Sequence, residues 1–390
     1  MKQALSLPKD PVDPARSKKA LTILLVAGFL LRVAFVFFVP LIHMHRDSFE
    51  YYRQAEILRQ GRYLNYFPNG YPLIVLIAKQ ITANHSQTLL LWLNIFMSTT
   101  TIWFVYDIAL RTLKNRTVAL TAGIIFAVFP PLLNYVRWIM SEGPTFFFLL
   151  GAYYYYFRQK NWLSGLFFGL TTVVRTNIAP VFLLIVAIEL IWKKRLNYRL
   201  LITAFIPIVL LGSYCYLQTG KFSIEGNARI NILYSVTAKG NYIDFEIGDK
   251  YPGIDTEDKA VRLYMDHMKK EPGEFLSQRI ANLWELWGFV ASDAQGFRSP
   301  ATRLMLGFCN FFLVVFGIIG FWLNRRNLDA WMMILPFVVL TGIHTILVAI
   351  PRYAYPAHPF MIIFGSWTIW WLLSLKKKAP ASKAEALERQ

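Results

Sequence analysis

Long apolar stretches recur along this chain, and they restrict its possible folds more than any other feature of the sequence. A helix needs about 20 mostly apolar residues to cross the hydrocarbon core of a bilayer. The sequence offers ten stretches of or near that length, separated by polar segments. It therefore predicts an all-α polytopic membrane protein with about ten transmembrane helices. The predicted spans lie at about residues 20–42, 88–110, 118–136, 144–157, 162–174, 178–192, 200–217, 304–323, 330–350 and 356–375.

The composition agrees with a membrane protein and excludes several other classes. Hydrophobic residues make up 55% of the chain and charged residues only 16%, whereas about a quarter of the residues in soluble domains are charged. This balance excludes a disordered chain and a disulfide-stapled secreted domain. The two cysteines, Cys215 and Cys309, fall inside predicted spans and are interpreted as packing residues. The short stretches at 162–174 and 178–192 flank Arg175, so they form either two spans or one broken helix.

The net charge of +18 has two possible explanations. On a soluble protein it would suggest nucleic acid as the partner. When the predicted spans alternate from a cytoplasmic N-terminus, however, about half of the 41 Lys and Arg residues fall in cytoplasmic segments. This bias follows the positive-inside rule. We therefore expect both termini in the cytoplasm, a retained first span rather than a signal peptide, and no nucleic-acid partner.

Two segments are too long to be simple connections, and both fall on the predicted outer side of the membrane. Long structured loops usually carry function. The two outer segments of this chain also divide it into parts. These are a transmembrane module at 1–217 with its first outer loop at 43–87, a large outer loop at 218–302, C-terminal spans at 303–375 and a basic tail at 376–390.

Short helices are predicted inside both loops. The first loop predicts an interfacial helix with Asp47 as its N-cap and, after a turn rich in Pro and Gly, a second short helix. The large loop predicts a helix that starts at Asp255 or Thr256 and another over about 275–289.

Four charged residues stand at the predicted outer ends of apolar helices. Asp47 follows the first span, and Glu142 precedes the fourth, although Glu142 could simply start that helix. Arg175 interrupts an apolar block, which costs free energy unless the guanidinium is paired. Arg352 lies before the last span, where snorkelling to the interface is an alternative explanation. These four residues are the first candidates for a functional site.

An ion pair with Asp107 or Glu189 is the structural alternative for Arg175. In the predicted topology both acids lie toward the cytoplasmic ends of their helices, whereas Arg175 lies at the outer side. The topology therefore favours a functional role for Arg175.

These positions, in this order, resemble the GT-C superfamily of membrane glycosyltransferases, in particular the bacterial branch with protein O-mannosyltransferases and lipid A aminoarabinose transferases. The resemblance covers about residues 20–375. It rests on the first outer loop with Asp47, Tyr51, Tyr52, Ala55 and Gly61, on the turns FPNGYPLIVLIA and VRWIMSEGPTFFFLL, and on the blocks GLFFGLTTVVRTNIAPVFLL and AIPRYAYPAHPFMII. A weaker match is FSIEGNARINILY in the large loop.

Members of that superfamily transfer a sugar from a polyprenyl-phosphate carrier with inversion at the anomeric carbon, and the resemblance implies this function here. It implies Asp47 as the general base and Glu142 as the second acid, because the acceptor hydroxyl must lose a proton. The leaving phosphate needs cationic donors, for which the candidates are Arg352, Arg175, Arg137, Lys79 and Arg62. Candidates for contact with the sugar or acceptor are Tyr51, Tyr353 and Glu50, although the tyrosines could be interfacial belt residues.

The expected partners are a lipid-linked sugar donor, a glycan, lipid or protein acceptor, and membrane lipids. The expected location is the bacterial inner membrane, with the active site outside the cytoplasm and the large loop capping the cavity and selecting the acceptor. No metal site is predicted, since Asp266, His267 and Asp293 lack ligand spacing; a divalent metal is possible but unsupported.

Two other functions compete with a transferase. One is a transporter or flippase of lipid-linked sugars, and the other is a non-catalytic component of glycan assembly. A transporter usually carries charge at the membrane midplane and shows paired, interrupted helices. Here the acids gather at the predicted outer mouth and no repeat is apparent, which favours the transferase.

Overall fold

The computed structural model describes residues 13–39, 44, 46–64, 66–240, 242–244, 246–288 and 299–387, and the regular secondary structure within these ranges is helical, without a strand. The basic segment 1–12, the end of the first predicted span, residues 289–298 of the large loop and the last three residues lie outside them. The first ten helices are α1 Pro14–Phe37, α2 Arg46–Arg59, α3 Gly70–Thr82, α4 Ser86–Leu113, α5 Arg116–Val128, α6 Pro130–Asn134, α7 Glu142–Phe157, α8 Asn161–Val174, α9 Ala179–Lys193 and α10 Tyr198–Thr219. The others are α11 Ala228–Thr237, α12 Ile247–Lys250, α13 Glu257–Lys270, α14 Pro272–Leu286, α15 Pro300–Asn324, α16 Leu328–Ile346 and α17 His358–Leu387.

The long apolar helices confirm a multi-pass membrane protein. Within the described residues, seven helical segments are long and apolar enough to cross a membrane, and the bent pair α5–α6 makes up to eight. Helices α7 and α8 occupy predicted positions, but with 16 and 14 residues they are shorter than an ordinary span. The number of ten spans is therefore not confirmed.

Several helices are interrupted, and the interruptions follow from proline and from the local backbone. Pro130 follows Phe129, which is extended, and the chain bends by 49° between α5 and the segment from Pro130 to Arg137. Arg175 is also extended, with φ −152° and ψ 101°, and a 3-10 turn then leads into α9. Residues 162–192 thus form two helices with a break at Arg175, of which only the second, with its 3-10 turn, is long enough to cross a membrane.

Helices α8 and α10 approach so closely that only glycine fits between them. A Cβ on Gly165 would lie 2.2 Å from the carbonyl oxygen of Leu200, and one on Gly169 would lie 2.3 Å from that of Ala204. Two glycines four residues apart on one helix face are a common packing device between membrane helices. This contact fixes α8, and with it the break at Arg175.

The two loops lie at the same end of the bundle, which we call the loop side. The hydroxyl of Tyr63, after α2, donates to the carbonyl of Ser223, after α10, at 3.4 Å. The two short helices predicted in the first loop are confirmed as α2 and α3, and their interfacial location stays a prediction. Helix α3 begins directly on the backbone of α8, because a Cβ on Gly70 would meet the carbonyl oxygen of Val173 at 2.4 Å. Helix α2 begins at Arg46, so Asp47 lies in the first turn and is not the N-cap.

The large loop has a small core of its own. Leu233 and Val236 of α11 pack with Ile247 and with Ala260 and Tyr264 of α13. The side chain of Thr256 accepts from the backbone N–H of Lys259, which confirms Thr256 as the N-cap of α13. The loop is therefore a folded unit that packs beside the bundle.

Replacing Gly169 by alanine should destabilise the protein, because the added methyl group must displace the backbone of α10. We expect a loss of about 1–3 kcal/mol in unfolding free energy, as for other overpacked sites. The matched control is Gly342→Ala in α16, where no described atom lies within 4 Å of the new Cβ. Thermal unfolding in detergent should show a lower midpoint for Gly169→Ala alone; equal midpoints would contradict the close approach of α8 and α10.

Candidate active site

Two carboxylates and two guanidinium groups meet at the loop side of the bundle. Arg352 Nη2 lies 2.8 Å from Asp47 Oδ2, and Arg352 Nε lies 4.0 Å from Glu142 Oε1. Arg175 Nη2 lies 3.2 Å from the same Glu142 oxygen. Charges of opposite sign therefore alternate in the order Asp47, Arg352, Glu142, Arg175, and we call these four residues the charge cluster. The Glu142 side chain is only 1% exposed, so the pairing is weakly screened by solvent.

Helix α2 is held against the start of α7, and this brings the two acids together. The Ser48 hydroxyl donates to the carbonyl of Ile139 at 2.8 Å, and the Tyr51 hydroxyl donates to Ser141 Oγ at 3.1 Å. Glu142 is the first residue of α7. It therefore starts that helix, as the sequence allowed, and also belongs to the charge cluster. Burial and the charges of Glu142 and Asp47 raise the pKa of Tyr51, which keeps its hydroxyl protonated.

Both arginines of the cluster lie where a helix is interrupted. Arg175 occupies the extended residue between α8 and the 3-10 turn before α9. Arg352 lies in a 3-10 turn, Pro351–Tyr353, that follows the end of α16. Both guanidinium groups stand beside the Tyr353 ring, at 5.4 and 5.6 Å from its centroid. The structural alternative for Arg175 is wrong, because Asp107 pairs with Arg111 and Arg158, and Glu189 pairs with Lys193.

The charge cluster opens into a cavity of about 340 Å³. A volume of this size suits part of a small ligand. The wall combines the cluster with Tyr51 and Tyr353, with polar side chains of the α8–α9 break and of the large loop, and with apolar residues at the end of α16. Its polar and charged members are Asp47, Tyr51, Ser141, Glu142, Arg175, Thr176, Asn177, Glu225, Asn227, Asn231, His344, Arg352 and Tyr353.

Several buried polar atoms around the cavity have no hydrogen-bond partner among the residues that the structure describes. They are Glu142 Oε2, Arg175 Nη1, Arg352 Nε, Asn177 Oδ1 and Asn227 Oδ1. A buried polar atom left unpaired costs about 1–3 kcal/mol. Two cationic donors and three acceptors are thus available to a ligand that carries an anion and hydroxyl groups.

Glu225 is a cavity residue that the sequence analysis did not select. It lies between α10 and α11, and its carboxyl accepts a hydrogen bond from the Thr176 hydroxyl. Burial raises the pKa of Glu225 to about 7, and the nearby charge of Arg175 limits that rise. The segment FSIEGN matched the family pattern, but nothing in the sequence distinguished this acid from the others in a polar loop.

Six of the ten predicted site residues line this cavity, and four do not. Lys79 pairs with Glu56 at 2.8 Å, and Arg62 is exposed after α2. Arg137 is buried, where its Nε donates to Asn134 and its guanidinium lies over Phe35 and Trp138. Glu50 pairs with Arg53 and lines a neighbouring open hollow of about 350 Å³, which Asp47 also borders.

No group of three or more His, Cys, Asp or Glu side chains that could hold a metal ion occurs in the described part of the chain. The guanidinium of Arg352 lies between the carboxylates of Asp47 and Glu142 and supplies the positive charge there.

Comparison with known proteins shows similarity in structure but not in sequence. No family model matches the chain, and no curated protein sequence matches it. It is similar to the archaeal oligosaccharyltransferase AglB from Archaeoglobus fulgidus, solved with an inhibitory peptide and a dolichol-phosphate, at a TM-score of 0.51 and 12% identity, over 90% of this chain and 50% of that one. It is also similar to the Archaeoglobus fulgidus oligosaccharyltransferase solved with Zn and sulfate, at a TM-score of 0.50 and 14% identity, over 92% of this chain and 51% of that one. The protein therefore has the GT-C fold and spans about half the length of the solved chains that it matches.

Replacing Glu225 by glutamine should change how stability depends on pH. A carboxyl group whose pKa is raised from about 4.5 to about 7 on folding stabilises the native state below the lower value, and this contribution is lost as the pH rises through the upper one. Relative to Glu225→Gln, the wild type should therefore lose stability between pH 4.5 and 7. We expect a loss on the order of 1–2 kcal/mol, since the side chain is partly exposed.

The measurement is the thermal midpoint of both proteins across this pH range, with Glu246→Gln on the exposed surface of the large loop as the control. The control should follow the wild type. Parallel curves for wild type and Glu225→Gln would contradict a neutral Glu225 in the cavity.

Proposed function

We propose that the protein is a glycosyltransferase that moves a sugar from a polyprenyl-phosphate carrier to a hydroxyl group of an acceptor, with inversion at the anomeric carbon. The observation that carries the proposal is the charge cluster, in which two carboxylates and two guanidinium groups share one cavity wall. An inverting transfer from a phosphate needs both groups, a base for the acceptor and cations for the leaving oxygen.

The two arginines of the cluster suit the donor phosphate. A guanidinium binds two phosphate oxygens through a planar fork, and it stays charged when buried. Arg175 Nη1 has no described partner and lies in the wall of the cavity, so it can donate to a phosphate without breaking an existing bond. Arg352 is the second donor, and it is also the residue that pairs with Asp47.

Asp47 is proposed as the general base, and its ion pair with Arg352 gives the order of events. While Arg352 holds the Asp47 carboxylate at 2.8 Å, that carboxylate oxygen is engaged by the guanidinium and is not offered to the acceptor. A phosphate that binds Arg352 competes for its donors and releases Asp47. The acceptor oxygen then attacks the anomeric carbon, its proton goes to Asp47, and the bond to the phosphate oxygen breaks with its electron pair, which leaves polyprenyl phosphate.

The remaining polar groups of the wall are proposed to orient the sugar and the acceptor. Glu142 Oε2, Asn177 Oδ1 and Asn227 Oδ1 can accept from hydroxyl groups. Tyr51 and Tyr353 supply ring faces and hydroxyls beside the cluster. The acceptor is a glycan, a lipid or a protein hydroxyl, and selecting it is assigned to the large loop, which supplies Glu225, Asn227 and Asn231 to the wall.

The proposed function also implies where the cavity lies relative to the membrane. One structural neighbour was solved with a dolichol-phosphate, a phosphate on a long prenyl tail. A donor of this kind keeps its tail in the bilayer. By the positive-inside rule both termini are proposed to be cytoplasmic and the cavity extracytoplasmic, in a bacterial inner membrane. A divalent metal is not required by this scheme.

Replacing Asp47 by asparagine should abolish most of the transfer, because the amide cannot take the acceptor proton. We expect a fall in kcat of roughly 10²–10⁴-fold, as for other general bases. The assay gives purified protein a set of polyprenyl-phosphate sugars and follows donor consumption and product. The control is Glu56→Gln, which removes a carboxylate from the exposed face of the same helix.

Full activity of Asp47→Asn would contradict the assignment of the base. Wild-type protein that consumes no donor but moves lipid-linked sugar across vesicles would contradict the transferase and support a flippase.

Replacing Arg175 by lysine should weaken binding of the donor phosphate, because an ammonium group cannot form the paired hydrogen bonds of a guanidinium. We expect kcat/KM for the donor to fall by roughly 10–100-fold. Arg59→Lys on α2 keeps an exposed pair with Glu56 and serves as the control. An unchanged kcat/KM for Arg175→Lys would place the phosphate elsewhere.

A further inference from the structure

Helix α14 of the large loop has its polar and apolar faces reversed relative to a helix on a water-exposed surface. The buried side chains include Gln278, Arg279, Asn282 and Glu285. The exposed ones include Leu276, Ile280, Leu283 and Trp284, each between 41% and 61% exposed. Helices of soluble surfaces bury the apolar stripe instead.

The preceding helix shows the ordinary pattern. On α13 the apolar residues Ala260 and Tyr264 are buried, and the exposed side is mostly charged, with Asp258, Asp266 and Lys269 beside the apolar Val261 and Met265. The two helices belong to one loop and are separated by a single residue, Glu271. Their outward faces therefore match two different surroundings, water for α13 and an apolar medium for α14.

The contacts of α14 follow α16 from its end down to its middle. Arg279 donates to the carbonyl of Ile346, the last residue of α16, and Asn282 donates to the carbonyl of Leu347 at 2.9 Å. The Trp287 ring, just beyond α14, lies 4.6 Å from that of Phe337. At 1.5 Å per residue, Phe337 lies about 13 Å along α16 from Ile346.

That depth is close to half of a hydrocarbon core of about 30 Å. The far end of α14 also reaches two other long helices, because Trp287 stacks on His358 of α17 and a Cβ on Gly288 would lie 2.7 Å from Asn310 of α15. A helix whose end lies beside the middle of α16 cannot remain in the aqueous layer if α16 crosses the bilayer.

We propose that α14 dips into the leaflet on the loop side, and that its exposed apolar face is covered by lipid acyl chains. The helix enters at Pro272 and descends antiparallel to α16. An open groove of about 520 Å³ beside it is lined by Ile280 and Trp284, and Lys239 stands at its edge.

The buried face of α14 explains why this placement matters for the cavity. Arg279 and Asn282 satisfy carbonyls at the end of α16, where the last C=O groups lack helical partners. The segment that follows lines the cavity with Leu347 and Val348 and then carries Arg352. Helix α14 is thus a positioning element for one wall of the cavity, anchored from outside by lipid.

Site-directed spin labelling in proteoliposomes tests the proposal. In a background with Cys215→Ala and Cys309→Ala, nitroxides are attached at Leu276→Cys, Ile280→Cys and Leu283→Cys. Their accessibility to oxygen and to a water-soluble nickel chelate is compared by power saturation. Asp266→Cys on α13 is the aqueous control, and Phe308→Cys, an exposed position on α15, is the lipid control.

We expect the nitroxide at position 280 to be more accessible to oxygen than to the nickel chelate, as at position 308. The nitroxide at position 266 should be more accessible to the nickel chelate. The apparent depth in the membrane should increase from position 276 to position 283. Nickel dominance at position 280 would overturn the proposal, as would protection from both reagents, which would mean a protein partner. Equal depths at 276 and 283 would place the helix flat on the surface and would also overturn it.

A second measurement keeps the native cysteines. Brominated lipids should quench part of the tryptophan fluorescence, and Trp284→Phe should remove part of the quenchable signal. An unchanged quenchable fraction in Trp284→Phe would contradict lipid contact at this face.

Discussion

The largely buried alternation of charge from Asp47 to Arg352, Glu142 and Arg175 is the interaction on which the rest of the loop side depends. Taking a charge out of water costs several kcal/mol, and only well-placed opposite charges offset that cost. Each member comes from a different part of the chain, namely α2, the turn before α17, the start of α7 and the α8–α9 break. The cluster can therefore exist only if four distant segments are brought to one place.

The surrounding architecture does this with apolar packing and backbone contacts. The glycines of α8 fix its distance from α10, and Gly70 lets α3 begin directly on the carboxyl end of α8, beside Arg175. Ser48 ties α2 to the segment before α7, and α14 satisfies the carbonyls at the end of α16. The helix interruptions are thus where charged side chains can leave the apolar bundle and meet. Such a site offers cations to a lipid phosphate and a carboxylate to an acceptor, which is the chemistry that we propose.

Much of this could be predicted from the sequence, for physical reasons. Apolar length predicts membrane helices. A charge at the end of an apolar stretch, or inside one, is conspicuous, so Asp47, Glu142, Arg175 and Arg352 could be selected. Glu225 was missed because an acid in a polar loop is unremarkable until folding buries it beside Thr176. Lys79 was selected as a phosphate ligand although it pairs with Glu56 of another helix, a contact that no local pattern predicts. The number of spans was uncertain because α7 and α8 are short helices, and length alone does not say how deep they lie.

A structure of the protein with polyprenyl phosphate bound in a lipid nanodisc would show where the donor phosphate lies. We expect a phosphate within hydrogen-bond distance of both Arg175 and Arg352, and an Arg352–Asp47 distance longer than the present 2.8 Å. The Asp47 carboxylate would then face the cavity without its guanidinium partner. A phosphate bound at Lys79 or Arg62, or an Arg352–Asp47 pair that stays intact beside the bound lipid, would contradict this expectation.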